Sequence, residues 1–215
     1  MKTIKPMFKI ETPMDKDFIL KHIERSARTC YKSEGKMGES YNENFLRNII
    51  KSGHESVLEH FSFSVRFIVD RGVTHELVRH RIASFSQEST RYVNYNNNFE
   101  VIDIKNAINL DTKMQGLSIH LVNEILNEWA LAMQDAEAHY TRMIQLGATP
   151  QMARSVLPNS VKTEIVVTAN LREWRHILKL RTSKAAHPQI REIMIPLLKE
   201  LQEQLPIIFD DITVE

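Results

Sequence analysis

The stretch RHRIASFSQESTRY, residues 79–92, sets three arginines, a histidine, a glutamine and four serine or threonine hydroxyls against one carboxylate, Glu88. Arginine forks grip phosphate oxygens in pairs, while amides and hydroxyls read the polar edges of a ring. The mixture points to a phosphorylated, ring-bearing ligand such as a nucleotide. A second cluster is NLREWRHILKLR, residues 170–181. On a helix Arg172 and His176 share a face, because positions four apart are neighbours. Arg181 falls on the other side with Trp174 and Ile177, so its guanidinium emerges from an apolar surface. It cannot shed its charge, and needs either an anionic or strongly polar ligand or a carboxylate from elsewhere in the chain. HESVLEH, residues 54–60, adds His54, Ser56 and Glu59 just before an apolar run, where capping the core and binding a ligand are equally served.

Other chemistries find less material. His75 and Glu76 followed by His80 resemble a zinc-protease helix, but the histidines stand five apart instead of four, off a common face. There is no GxSxG elbow for a serine nucleophile. With six glycines in the chain, no GxGxxG exists to cradle a dinucleotide. The lone cysteine, Cys30, excludes an intrachain disulfide, and no base is evident beside it. A nucleotide hydrolase would need a carboxylate-rich metal site, for which no DxD or HD pair stands in a convincing context. A non-catalytic nucleotide-binding module would not need Arg181.

Several elements can be expected to position these groups. Phe61, Phe63, Val65, Phe67 and Val69 alternate with Ser62, Ser64, Arg66 and Ile68, which predicts a strand closed by Asp70-Arg71-Gly72. TEIVVTA at 163–169 predicts a second strand, and KPMFKI at 5–10 and EVIDI at 100–104 weaker ones. Apolar residues from Val122 to Met143 recur at helical steps, with Gly147 as a stop. Thr149-Pro150 predicts the start of a short helix. The runs from 171 and from 188 are helical too, the latter with a kink expected at Pro196. VTHELVRHRIA, 73–83, predicts a helix that feeds the donor-rich stretch as a loop, and Asn94 to Asn98 reads as a loop. Helix and strand are mixed without strict alternation, so the expected class is α+β: a central mixed or antiparallel sheet with packed helices.

The whole chain narrows the setting. Its 215 residues, 42% apolar, fit a single domain over 1–215. A net charge of +1, from 28 basic and 27 acidic residues, gives no general attraction to nucleic acid or an acidic membrane, so any anion site is local. No apolar run at the start is long enough for a signal peptide or membrane span, and with one cysteine the expectation is a soluble, cytoplasmic protein.

RHR followed by seven residues and a serine, Arg79-His80-Arg81 and Ser89, resembles the signature of the flavin-dependent thymidylate synthases. ARTCY at 27–31, HESVLEHFSFSVRF, SFSQEST with Arg91-Tyr92, ARSVLP at 153–158 and NLREWRHILKLR continue the likeness in collinear blocks from about residue 27 to 191. The resemblance implies a homotetramer with shared active sites. It implies methylene transfer from 5,10-methylenetetrahydrofolate to dUMP, reduction by FAD hydride, and NADPH as reductant. It implies flavin contacts at Ser56, Arg79, His80, Arg81, Asn170, Arg172 and His176, with Gln87 bordering the flavin and Cys30 and Glu59 as weaker members. Nucleotide contacts are implied at Glu76, Arg79, Gln87, Ser89, Arg91, Arg154 and Arg181, with Arg181 polarising the uracil and no covalent enzyme nucleophile. One departure stands out: many members carry a His-Ala-Gln-like run soon after that arginine, whereas alanine, Ala185, occupies the histidine position here, two residues before His187.

Overall fold

The computed structural model describes residues 1–96 and 98–214. Its centre is a four-stranded antiparallel sheet in the order β2 (Met7–Ile10), β3 (Ser62–Asp70), β6 (Lys162–Asn170), β4 (Ser84–Gln87). The alternation in β3 and β6 decides which face is covered. Phe63, Val65 and Phe67 pair with Ala169, Val167 and Ile165, and all six side chains point into the core. Fully burying a side chain of this size contributes roughly 1.5–3 kcal/mol, so a slip of one residue, which would turn the whole set outward, is strongly opposed.

Helix α7 (Leu171–Thr182) follows β6 without a loop, because Asn170 ends the strand and caps the helix, its Oδ1 accepting from the Glu173 N–H at 2.8 Å. Trp174 then lies over the sheet, fully buried, its ring 5.0 Å from that of Phe63 and its indole N–H donating to the Phe63 carbonyl at 3.1 Å. Helices α1 (Lys16–Cys30), α2 (Glu43–Lys51) and α8 (Pro188–Gln204) and the short α9 (Pro206–Phe209) complete this core. Pro196 sits inside α8, which is a helix on both sides of it. A second, smaller cluster lies beneath α5 (Ile119–Gln145), where Met133 and Tyr140 meet Tyr95, Phe99 and Val161 beside the parallel pair β1 (Lys2–Ile4) and β5 (Glu100–Ile102). The short helix α6 (Pro150–Ala153) flanks it, beginning at Pro150 as expected, while α4 (Lys105–Leu110) packs against α8. Gly147 stops α5 with a φ of +93°, a conformation that favours glycine. The Asn94–Asn98 loop reading falls partly outside the described residues, at Asn97. Among the described residues no helix is long and apolar enough to cross a membrane.

Two expectations are corrected at the centre of the donor-rich stretch. Helix α3 is Arg71–Leu77 and does not continue to Ala83. Asp70 caps it, accepting from the Val73 N–H at 2.7 Å, and at Gly72 a Cβ would lie 3.1 Å from the Asp70 carboxylate. Leu77 is its last buried apolar position, while Val78 and Ile82 beyond it are 40% and 72% exposed. With no apolar stripe to hold a further turn, the helix unwinds and Arg79-His80-Arg81 forms a tight turn instead. Ser84–Gln87, expected as loop, is the edge strand β4, paired to β6 from Ser84↔Thr168 to Gln87↔Ile165. Phe85 packs on the core while Ser84 and Ser86 face outward.

Candidate active site

Arg181 stands at the junction of α7, α3 and the turn between α3 and β4. Its Nη1 pairs with the Glu76 carboxylate, its Nη2 donates to the Glu76 carbonyl at 2.9 Å, and its Nε donates to Nε2 of His80 at 3.0 Å. The side chain is 11% exposed, so the apolar setting expected from the helix register is real, and the carboxylate alternative is realised by Glu76. His80 is 4% exposed, and burial followed by the charges of Arg181 and His176 pushes its pKa down to about 4. The imidazole is therefore neutral near pH 7. Glu173, also buried, faces Nδ1 of His80 at 3.4 Å, and burial raises its carboxyl above the usual range. His80, Glu173 and His176 bring three potential ligand atoms within 4.8 Å of one another. Arg181 occupies the lone pair of Nε2, so a metal on Nδ1 would need a doubly deprotonated ring beside it. His80 is thus hydrogen-bonded on one side by Arg181 and faces the Glu173 carboxyl and the His176 ring on the other.

One turn earlier on α7, Arg172 and His176 open onto a cavity of about 490 Å³ that Glu55, Glu59, Ile82, Asn170 and Lys179 also line. Arg172 is about half exposed and donates to Glu59 at 2.6 Å. Oδ1 of Asn170 is committed to the helix cap, which leaves its amide N–H groups to donate. The cavity wall is braced from behind by Arg175, 1% exposed, which donates to Glu55 and forks onto Asp211 at 2.6 and 2.7 Å. Glu55 begins the 3-10 turn 55–60 on which Ser56 sits, exposed. Cys30 is exposed at the end of α1 and does not line the cavity.

Arg79 and Arg81 project from the tight turn into solvent, and among the described residues neither has a side-chain partner. Ser89 Oγ accepts from the Arg91 N–H at 3.3 Å, shaping the turn that presents Arg91, whose guanidinium lies over Tyr92 at 5.5 Å. Arg154, 64 residues away in sequence, reaches this turn and donates to Thr90 at 3.4 Å. Gln87 faces inward, its amide donating to Thr74 at 3.0 Å and Thr163 at 3.4 Å, so in this protomer it pins β4 to α3. Sequence reasoning passed over Arg71, whose Nη1 is buried without a partner. The signal was its place one residue before Gly72, at the start of α3. His187 caps α8, its Nδ1 accepting from the Gln189 N–H at 3.3 Å, and lines a separate cavity of about 180 Å³ with Ile104 and Met114. It does not face the Arg172 cavity in the protomer, and Gln189 beside it pairs with Asp70.

Fold and site thus define a protein with a strand-edge arginine loop, a semi-buried arginine and an α+β sheet between helices. A family model described as thymidylate synthase complementing protein matches residues 17–207. A flavin-dependent thymidylate synthase of Corynebacterium efficiens is 36% identical over 200 residues, covering 90% of this chain and 79% of that one. Another, of Mycobacterium sp. (strain JLS), is 37% identical over 203 residues, covering 89% and 79%. The chain belongs to the flavin-dependent thymidylate synthase family. Among solved structures, the UMP/dUMP methylase PolB of Streptomyces cacaoi, bound with 5-Br dUMP, superposes with a TM-score of 0.81 at 23% identity, covering 98% of this chain and 96% of that one. That likeness extends to the whole fold.

Proposed function

We propose that the protein is a flavin-dependent thymidylate synthase, transferring the methylene of 5,10-methylenetetrahydrofolate to carbon 5 of dUMP and reducing it to a methyl group. The products are dTMP and tetrahydrofolate. FAD supplies the reducing hydride when bound and reduced, and NADPH is the reductant that restores it. The observation that carries the reading is the Arg181 junction, where the RHR turn, the Glu76 helix and the Arg172 helix meet at one semi-buried guanidinium. Family membership supports it independently.

The donor set suits FAD: Arg172, Lys179, His176 and the Asn170 amide surround one cavity, with the free arginines Arg79 and Arg81 on the turn that carries its wall residue Ile82. In this reading Ser56, Arg79, His80, Arg81, Asn170, Arg172 and His176 hold the flavin, with Gln87 at its border. Glu76, Arg79, Gln87, Ser89, Arg91, Arg154 and Arg181 hold dUMP. The nucleotide displaces Glu76 from Arg181, and the freed guanidinium stabilises negative charge on the N3/O2 side of uracil, which makes carbon 5 a better nucleophile. Orientation by these fixed donors accounts for the remainder of the catalysis. Incubating the purified protein with dUMP, methylenetetrahydrofolate, NADPH and FAD should yield dTMP that depends on FAD; absence of dTMP with all four present would remove this reading.

No side chain is proposed to bond covalently to the nucleotide. Cys30 is exposed at the end of α1 and does not line the cavity, and Ser89 Oγ accepts a backbone N–H with no base at hand. Cys30→Ala should therefore retain full turnover, and Ser89→Ala should retain measurable turnover with a raised KM for dUMP. Abolished turnover in either variant, with both ligands still bound, would contradict this.

Assembly as a cytoplasmic homotetramer of single-domain subunits belongs to the same proposal. Only Met133 and Tyr140 of the 27 residues of α5 are buried, whereas Ile119, Leu121, Ile125 and Leu131 are 73%, 47%, 37% and 47% exposed. Such an apolar helix surface is suited to burial against another subunit. Light scattering should report four chains per particle. A monomer saturated with FAD would overturn the shared-site arrangement.

A further inference from the structure

We propose that Glu173 is a positioning residue that fixes the tautomer of His80 and, through it, the direction of the Arg181 guanidinium. Hydrogen-bond polarity fixes where the imidazole proton sits. An arginine N–H can only donate, and Arg181 Nε lies 3.0 Å from Nε2 of His80. Nε2 must therefore keep its lone pair, and the single proton of the neutral ring sits on Nδ1. That proton needs an acceptor in a place water barely reaches, since His80 is 4% and Glu173 8% exposed. The Glu173 carboxyl oxygen lies 3.4 Å from Nδ1, longer than the Arg181 contact on the other side of the ring, and a small rotation of either side chain makes it the acceptor. Whether ionised or protonated, a carboxyl group leaves an oxygen free to accept, so burial of Glu173 does not cancel the role.

The alternative tautomer shows what Glu173 prevents. A proton on Nε2 would face the Arg181 N–H donor to donor, and the guanidinium would lose one of the three contacts that aim it. The backbone of Glu173 has a separate task, donating to the Asn170 cap, so side-chain substitution leaves the cap in place. His176, whose ring centroid lies 5.6 Å from that of His80 in an edge-on arrangement, is the other ring nearby and serves as a control. The catalytic consequence rests on the proposed thymidylate synthase reading; the tautomer does not.

The test uses the full-length protein labelled with ¹⁵N-histidine, with the His80 signals assigned by their loss in His80→Gln. Long-range ¹H–¹⁵N correlation near pH 7.5 should show His80 protonated on Nδ1 and bare on Nε2. Glu173→Ala should move the proton toward Nε2 and lower kcat for dTMP formation about tenfold, with FAD affinity little changed. Glu173→Gln, whose amide oxygen can accept, should restore the Nδ1–H signature and most of kcat, and His176→Ala should leave the tautomer alone. A wild-type ring protonated on Nε2, or a Glu173→Ala ring still protonated on Nδ1, would overturn the proposal. If Glu173→Ala does not fold, the wild-type and Glu173→Gln spectra decide. An Nδ1–H wild type that makes no dTMP would sink the functional reading and leave the tautomer assignment standing.

Discussion

Arg181→Lys should lower the rate of dTMP formation by about 10²–10³-fold while FAD binding stays within error of wild type. The magnitude is that of removing one preorganised donor from a site of developing negative charge. Lysine keeps the charge, so any effect isolates geometry. The guanidinium contacts Glu76 through both Nη atoms and His80 through Nε, three directions fixed by one planar group. A single ammonium on a flexible stem cannot satisfy His80 and a nucleotide together. Its stem is also shorter of reach to Glu76, so the variant should bind dUMP more weakly as well as react more slowly. Measuring kcat and KM separately, together with flavin titration, distinguishes these effects. Wild-type kcat in Arg181→Lys would take this residue out of the mechanism.

Arg172→Ala should weaken FAD binding roughly ten- to hundredfold and leave stability almost untouched. The asymmetry follows from exposure. The Arg172–Glu59 pair, with both side chains about half exposed, contributes little to folding because water solvates the partners when they part. A charge-assisted hydrogen bond to a bound diphosphate is worth about 1.5–3 kcal/mol, which is the stated range in affinity. Arg175, one turn along the same helix side and itself fully buried, should behave in the opposite way, since truncating it empties a packed site and unties Glu55 and the Ile208 carbonyl from Asp211. Calorimetric FAD titration and thermal unfolding of Arg172→Ala separate the two readings. Unchanged FAD affinity would show that this cavity does not hold the flavin phosphates.

Where a local pattern is enforced by burial, the sequence was a reliable guide. The alternation of Phe63, Val65 and Phe67 could sit only with that face inward, and β3 and β6 appear within a residue of their expected bounds. The register of α7 foretold that Arg181 would leave an apolar surface. The helix expected to reach Ala83 shows the limit. VRHRIA keeps helical propensity, but nothing in it reveals that Val78 and Ile82 have no neighbour to bury them, or that Ser84–Gln87 is claimed by the edge of β6. Glu173 was harder still, and for Glu76, expected at the nucleotide, the pairing with Arg181 was equally out of view. A glutamate on a helix usually means a solvated face, and their roles come from partners about a hundred residues away: Glu173 opposite His80, Glu76 opposite Arg181. Arg175, tied to Glu55 and Asp211 across 120 and 36 residues, was hidden for the same reason.

The most direct test of the whole account is one anaerobic turnover followed by two readouts. The protein, loaded with FAD and chemically reduced, is mixed with dUMP and methylenetetrahydrofolate and no NADPH. Flavin absorbance and dTMP are then measured in the same sample. The account predicts that the oxidised flavin band returns as dTMP appears, one dTMP per flavin reoxidised, and that neither happens without dUMP. Formation of dTMP with the flavin still reduced, or reoxidation with no dTMP, would contradict it.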